Sequence, residues 1–181
     1  MIFGDAGITS KEFAEKFVSG VLKGTTGTKP PCAGGSRDLW TAQIKVVVEN
    51  LGHERGFDHT YEWLVDWIWW SGDKEHLGLA LESELDKNPK AVEDDFYKLT
   101  VLKCPLKVLV YSANEPEEMK RRAEEYLKRR SQHVEGEEYL LIAFTPSKPR
   151  CFSLRIPAPA DGRCNELQFI ELQLSAASAV A

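Results

Sequence analysis

The sequence has no long apolar run, no clustered cysteines and no excess of basic charge, and each shortage removes a class of explanation. No stretch approaches the roughly 18 consecutive apolar residues that a membrane span requires. The first ten residues, MIFGDAGITS, carry neither the basic nor the apolar block of a secretory signal. The expectation is a cytoplasmic protein with no membrane partner. Cys32, Cys104, Cys151 and Cys164 are widely separated with no C-x-x-C pair, so local spacing builds neither a zinc knuckle nor a redox motif. They read as reduced, structural residues. A net charge of −5 argues against a coat that grips nucleic acid over its whole surface. A local basic groove remains compatible, because carboxylates gathered at a metal site count toward that total. Gly24, Gly27 and Lys29 miss the G-x-x-x-x-G-K-[ST] spacing of a phosphate loop, and no strand precedes them.

What is present suits one folded domain. The 181 residues are 43% hydrophobic and 28% charged, an ordinary globular balance, and residues 1–174 read as one domain followed by a small-residue tail, 175–181. Thr9 and Glu12 have capping-box spacing, and Phe13, Phe17, Val18, Val21 and Leu22 continue at helical spacing, which predicts a helix over 10–23. Residues 24–37 hold four glycines and adjacent prolines and read as a long loop, either a connector or a flap near a ligand. Trp40, Ile44, Val47, Val48 and Leu51 favour a second helix, although Val46 to Val48 also suit a strand.

Strand signals follow. Tyr61 to Trp70 is dense in aromatic and β-branched residues, and alternation places Tyr61, Trp63, Val65, Trp67 and Trp69 on one face with Asp66 on the other. A Gly-Asp turn within Ser71 to Lys74 leads to a strand over Leu77 to Leu85. Its leucines Leu77, Leu79, Leu81 and Leu85 share one side, and Gly78, Ala80, Glu82 and Glu84 share the other. A helix over about 90–103, a strand at Leu106 to Tyr111, a helix from Asn114 to about Gln132 and three strands at 139–144, 151–156 and 167–172 complete the pattern.

Chemistry concentrates at the hairpin. Strand residues two apart point the same way, so Glu82 and Glu84 share a face on which Asp66 of the neighbouring strand can converge. Three carboxylates in a small volume repel one another, and a divalent cation with oxygen ligands, Mg²⁺ or its substitute Mn²⁺, relieves that repulsion. The bland alternative is a solvent-facing amphipathic strand. Asp66, set among tryptophans and isoleucine, weighs against it because a lone buried carboxylate is costly. Gly78 and Ala80 on the Glu82 face would leave room for a substrate.

The order of elements over Trp40 to Tyr111, with Val65-Asp66-Trp67 and Glu82-Ser83-Glu84, resembles the PD-(D/E)XK nuclease superfamily. That resemblance implies an α/β, restriction-endonuclease-like αβββαβ core with a central mixed sheet flanked by helices, here with extra C-terminal strands. It implies Mg²⁺ held by Asp66, Glu82 and Glu84, and phosphodiester hydrolysis, in DNA rather than RNA. Glu84 stands where the family usually has lysine. Lys98, in Asp94-Asp95-Phe96-Tyr97-Lys98-Leu99, would restore the cation from the following helix, as in some relatives; the alternative is a solvated surface lysine. Glu49 matches the family's optional helical acid, with Glu54 as the alternative.

Lys120, Arg121, Arg122, Lys128, Arg129 and Arg130 form half of a nucleic-acid footprint. Glu117, Glu118, Glu124 and Glu125 interleave at helical spacing and offer a salt-bridged surface helix instead. Lys148, Arg150 and Arg155 form a second candidate patch. Competing functions are a catalytically inactive nuclease-fold module that binds nucleic acid or protein, and an interaction protein using the Trp63 to Trp70 stretch. Cutting both strands of a duplex would call for a homodimer or a larger complex.

Overall fold

The computed structural model describes residues 7–61, 64–71, 75–86, 88–130, 133–157 and 167–175. Each helix starts where a small polar residue or a proline precedes an apolar stripe. Thr9 accepts the Glu12 N–H at 3.1 Å to open α1 (Ser10–Gly24), and Ser36 caps α2 (Arg37–His53). Asn88 caps α3 (Pro89–Val101), which begins with proline, as does α4 (Pro116–Arg129).

Seven strands lie side by side in chain order: β1 (Asp58–Tyr61), β2 (Trp67–Trp70), β3 (Leu77–Glu84), β4 (Leu106–Ser112), β5 (Glu138–Phe144), β6 (Arg150–Arg155) and β7 (Ile170–Glu171). β1, β2 and β3 form an antiparallel meander; β3, β4 and β5 run parallel; β6 and β7 return antiparallel. The parallel pairs follow from the crossover helices: α3 carries the chain from β3 to β4, and α4 from β4 to β5. The result is an α/β protein with a mixed sheet between helices.

Each sheet face has its own core. Phe13, Phe17, Ile44 and Val48 of α1 and α2 pack with Trp67, Trp69, Leu79, Leu81 and Val108. Phe96, Leu99, Ala123 and Leu127 of α3 and α4 pack on the opposite face with Ile68, Ala80, Leu109 and Leu141. Central strands buried on both faces read as continuous apolar runs, as Val108 to Val110 and Leu140 to Ala143 do.

Several expectations change. The strand expected across Tyr61 to Trp70 is two strands separated by a bend at Leu64 to Asp66, and Val65 therefore packs with Ile68 rather than with Trp67 and Trp69. Trp63 and the expected Gly72-Asp73 turn lie outside the described residues. A register shift at Trp69 and Trp70 likewise moves Leu77 to the α3 side, and a Cβ on Gly78 would meet the Phe57 ring at 2.7 Å. Phe57 stacks on Trp69, so Gly78 accommodates a ring on the α2 side and opens no substrate space beside Glu82; Ala80 is fully buried.

Of the two readings of the glycine-rich loop, the structure shows the connector, and it is pinned. It contains a short 3₁₀ turn at Pro31–Ala33; the Cys32 N–H donates to Ser112 Oγ at 2.9 Å, and Trp40 Nε1–H donates to the Lys29 carbonyl at 3.0 Å. The expected strand at 167–172 reduces to β7, and Leu167 and Phe169 are buried in the segment ahead of it. Cys164 and the tail beyond Ser175 fall outside the described residues.

Candidate active site

Glu82 sits near the C-terminal end of β3, beside Leu109 of β4 in register, and faces α3 by the same parity as Ala80. Only 1% of it is exposed. Asp66 reaches the same point from the bend ahead of β2, where its Oδ2 accepts the Ser83 N–H at 2.7 Å. The Asp66 and Glu82 carboxyls lie close enough to influence each other's protonation. From above, Lys98 of α3 sends Nζ to 3.1 Å from Glu82 Oε1 and 2.7 Å from Asp95 Oδ1.

Three acids thus surround one base, and the electrostatics record the imbalance. Burial, then the charges of Asp66 and Asp95, push the Glu82 carboxyl up to about 8, against the pull of Lys98. Burial also raises Asp66, although the Ser83 N–H and Glu82 oppose it. Burial alone would lower Lys98, but its hydrogen bond to Asp95 and the close negative charge of Glu82 outweigh that and hold it charged. Glu82 Oε1 is buried at an ion-pair distance from Lys98 without the alignment of a hydrogen bond. An under-coordinated oxygen, two adjacent carboxyls and a deficit of positive charge fit a hard divalent cation.

The candidate residues do not all converge. Glu84 Oε1 accepts the Asp86 N–H at 2.6 Å, which turns it toward the loop after β3. Among the described residues no group of three His, Cys, Asp or Glu side chains is poised as it stands to hold a metal ion. Glu49 lies across the sheet, 3.9 Å from Lys45 Nζ and 4.0 Å from His59 Nε2, and His59 pairs with Trp69 on the α2 face. It is therefore not part of the Glu82 constellation. Glu54 caps the end of α2, 3.9 Å from Arg55.

Two features escaped the sequence reading. Asp95 was legible as the residue three before Lys98 on one helix face. Lys107 was legible as a lone charge in an apolar strand; its ammonium is fully buried, 2.8 Å from Glu137 Oε2 and 3.0 Å from the Tyr139 hydroxyl. Lys107 pairs with Ala80 and so shares the sheet face of Glu82.

The cations of α4 divide along its length. Lys120 meets Glu124 at 3.6 Å, Arg121 meets Glu118 at 2.9 Å and Glu125 at 2.5 Å, and Arg122 meets Glu118 at 2.7 Å and also Glu93. Arg150 is held by Glu117 and by Glu171 at 2.6 Å, and Arg155 lies 3.8 Å from Glu138. Lys128, Arg129 and Arg130 have no carboxylate partner among the described residues.

No protein-family model matches this chain, and no curated protein is significantly similar to it in sequence. No helix among the described residues is long and apolar enough to cross a membrane.

Proposed function

We propose that this chain is a Mg²⁺-dependent nuclease of restriction-endonuclease-like architecture that hydrolyses phosphodiester bonds in DNA. The observation that carries the reading is Lys98, which α3 brings to within 3.1 Å of Glu82 while Asp66 approaches from the bend before β2. The sequence pattern needed a lysine to replace the one that Glu84 displaces, and this helix supplies it. The order α2, three-stranded meander, α3, β4 supports the same architecture.

Asp66 and Glu82 would hold the cation, which supplies the Lewis acidity that polarises the phosphate and acidifies water. Lys98, oriented by Asp95, keeps a fixed positive charge where negative charge grows on the phosphate oxygens. Glu84 would orient the attacking water only after giving up its bond to the Asp86 N–H, which turns it from the site. Hydrolysis of both strands of a duplex would favour two copies or a larger complex.

The test is cleavage of supercoiled and linear DNA with Mg²⁺, with Mn²⁺ and with EDTA, for wild type and for Asp66→Asn, Glu82→Gln and Lys98→Met. Cation-dependent cleavage that falls by at least about 100-fold in each variant is expected. Cleavage that survives in Glu82→Gln would overturn the assignment. The second reading, an inactive nuclease-fold module that binds nucleic acid or protein, is favoured by Glu84 being hydrogen-bonded to Asp86. Nucleic-acid binding without cleavage under any cation would select it.

A further inference from the structure

The exposed end of the α3–α4 pair combines features that neither the core nor the catalytic reading uses. Tyr97 is 50% exposed, and Val101, one turn further along α3, is 43% exposed. The Arg130 guanidinium lies 5.4 Å from the Tyr97 ring centre and 5.5 Å from that of Tyr126, and it also bonds Thr100 Oγ1. The two tyrosines meet edge to face at 5.5 Å and 75°. Lys128 and Arg129 at the end of α4, and Arg130 just beyond it, are left without a carboxylate partner among the described residues, whereas the cations nearer the start of the helix are neutralised.

We infer that this surface, Tyr97, Tyr126 and Arg130 with Lys128 and Arg129 beside them, is a binding platform for single-stranded nucleic acid. A base has an aromatic face to stack on a tyrosine, and its backbone has phosphates to meet the uncompensated cations. An acidic peptide would use the cations and leave the ring idle; a duplex hides its base faces. Tying α3 to α4 accounts for Arg130 but not for a half-exposed ring, since Phe96 and Tyr126 already pack across that junction. With the chain at −5 overall, binding must be local to such a patch.

Placement relates the platform to the candidate active site. Tyr97 and Lys98 are consecutive on α3, so their side chains leave the helix about 100° apart. Lys98 turns to Glu82 and Tyr97 to α4. A strand stacked on Tyr97 would pass beside the ammonium that faces the carboxylates. The ligand class rests on the nucleic-acid reading above; the platform does not require cleavage.

Binding is measured on the full chain in EDTA, by fluorescence anisotropy with labelled oligothymidylate and oligouridylate of about 12 nucleotides and with a duplex of the same length. Wild type is expected to bind a single strand more tightly than duplex. Tyr97→Ala and Arg130→Gln should each weaken binding about tenfold, and Tyr97→Phe should retain it. Lys128→Gln should reduce the slope of log affinity against log salt by about 0.7. Arg121→Gln, at a glutamate-paired position, serves as the control and should change nothing.

The platform is overturned if wild type binds neither strand, if duplex binds as well, or if Tyr97→Ala binds like wild type. A lower melting temperature in Arg130→Gln with unchanged affinity would mark a structural clamp only. Binding through Tyr97 without cleavage leaves the platform and removes the nuclease; cleavage with Tyr97-independent binding does the reverse.

Discussion

At the scale of single residues, the decisive quantity is the cost of a buried charge. Without a divalent cation, folded Glu82 keeps its proton up to about 8, whereas the ordinary glutamate value is 4.5. The folded state therefore binds more protons between those values. The stability this contributes is complete below about 4.5 and is lost as pH rises through about 8. The melting temperature of cation-free protein should fall across that window, and Glu82→Gln, which cannot ionise, should flatten the fall. An unchanged slope in the variant would refute the burial argument. Lys107 presents the opposite problem. Burial lowers its pKa, and the Glu137 charge resists that. Lys107→Met would strand Glu137, whose side chain is 1% exposed, at a cost of about 3–5 kcal/mol. The double replacement Lys107→Met with Glu137→Leu should recover most of the loss in urea titrations. A double variant no better than the single one would show that the pair is not acting alone.

Between elements, close approach sets the geometry of the site. α2 rests on β2 at Gly52, where a Cβ would fall 2.8 Å from Trp69 Nε1, and the same indole N–H donates to the Val48 carbonyl at 3.2 Å. Gly52→Ala gains helix propensity of roughly 1 kcal/mol or less. It must also displace a fully buried tryptophan, and overpacking of that kind costs about 1–3 kcal/mol. The expected net result is a lower melting temperature with an unchanged far-UV circular dichroism spectrum; a more stable variant would mean that the indole moves freely. The bend before β2 has the larger functional effect. By breaking the alternation between Val65 and Trp67 it sends Val65 into the α3 core and presents Asp66 to the Ser83 N–H. An uninterrupted strand would have fixed Asp66 by pleat alone.

For the whole molecule, one sheet joins two cores. Both cores share β3, β4 and β5, each buried on its two faces, so neither can melt while the other keeps its strands. A single thermal transition is expected, with coincident near-UV and far-UV signals. Amide exchange should be slowest in β4 and β5, at the centre of the sheet, and faster in β1 and β7, at its edges. Two resolved transitions would contradict the shared-sheet account. The parallel strands also end together, so Glu84, Ser112 and Phe144 lie along one margin. A cavity of about 170 Å³ opens there between the starts of α3 and α4, lined by Asp86, Val92, Tyr111 and Met119.

Periodicity alone made the helices, the central strands and the shared face of Glu82 and Glu84 legible, because apolar spacing and pleat parity are local properties. Capping at Thr9 and Asn88 was equally local, since the bonded groups lie within three residues. The bend at Leu64 to Asp66, the shift at Trp69 and the ring beneath Gly78 were not legible. They depend on what a distant segment places against the strand. The same holds for the site. The sequence ranked Asp66 and Glu82 first by strand placement, left Glu84 ambiguous in the place of a lysine, and set Lys98 and Glu49 against surface-charge alternatives. Tertiary packing separated them, bringing Asp66 and Lys98 to Glu82, turning Glu84 to its own loop and leaving Glu49 across the sheet. Which carboxylates meet is decided by through-space distance between elements far apart in the chain, and that distance exists only once both cores have closed on the sheet.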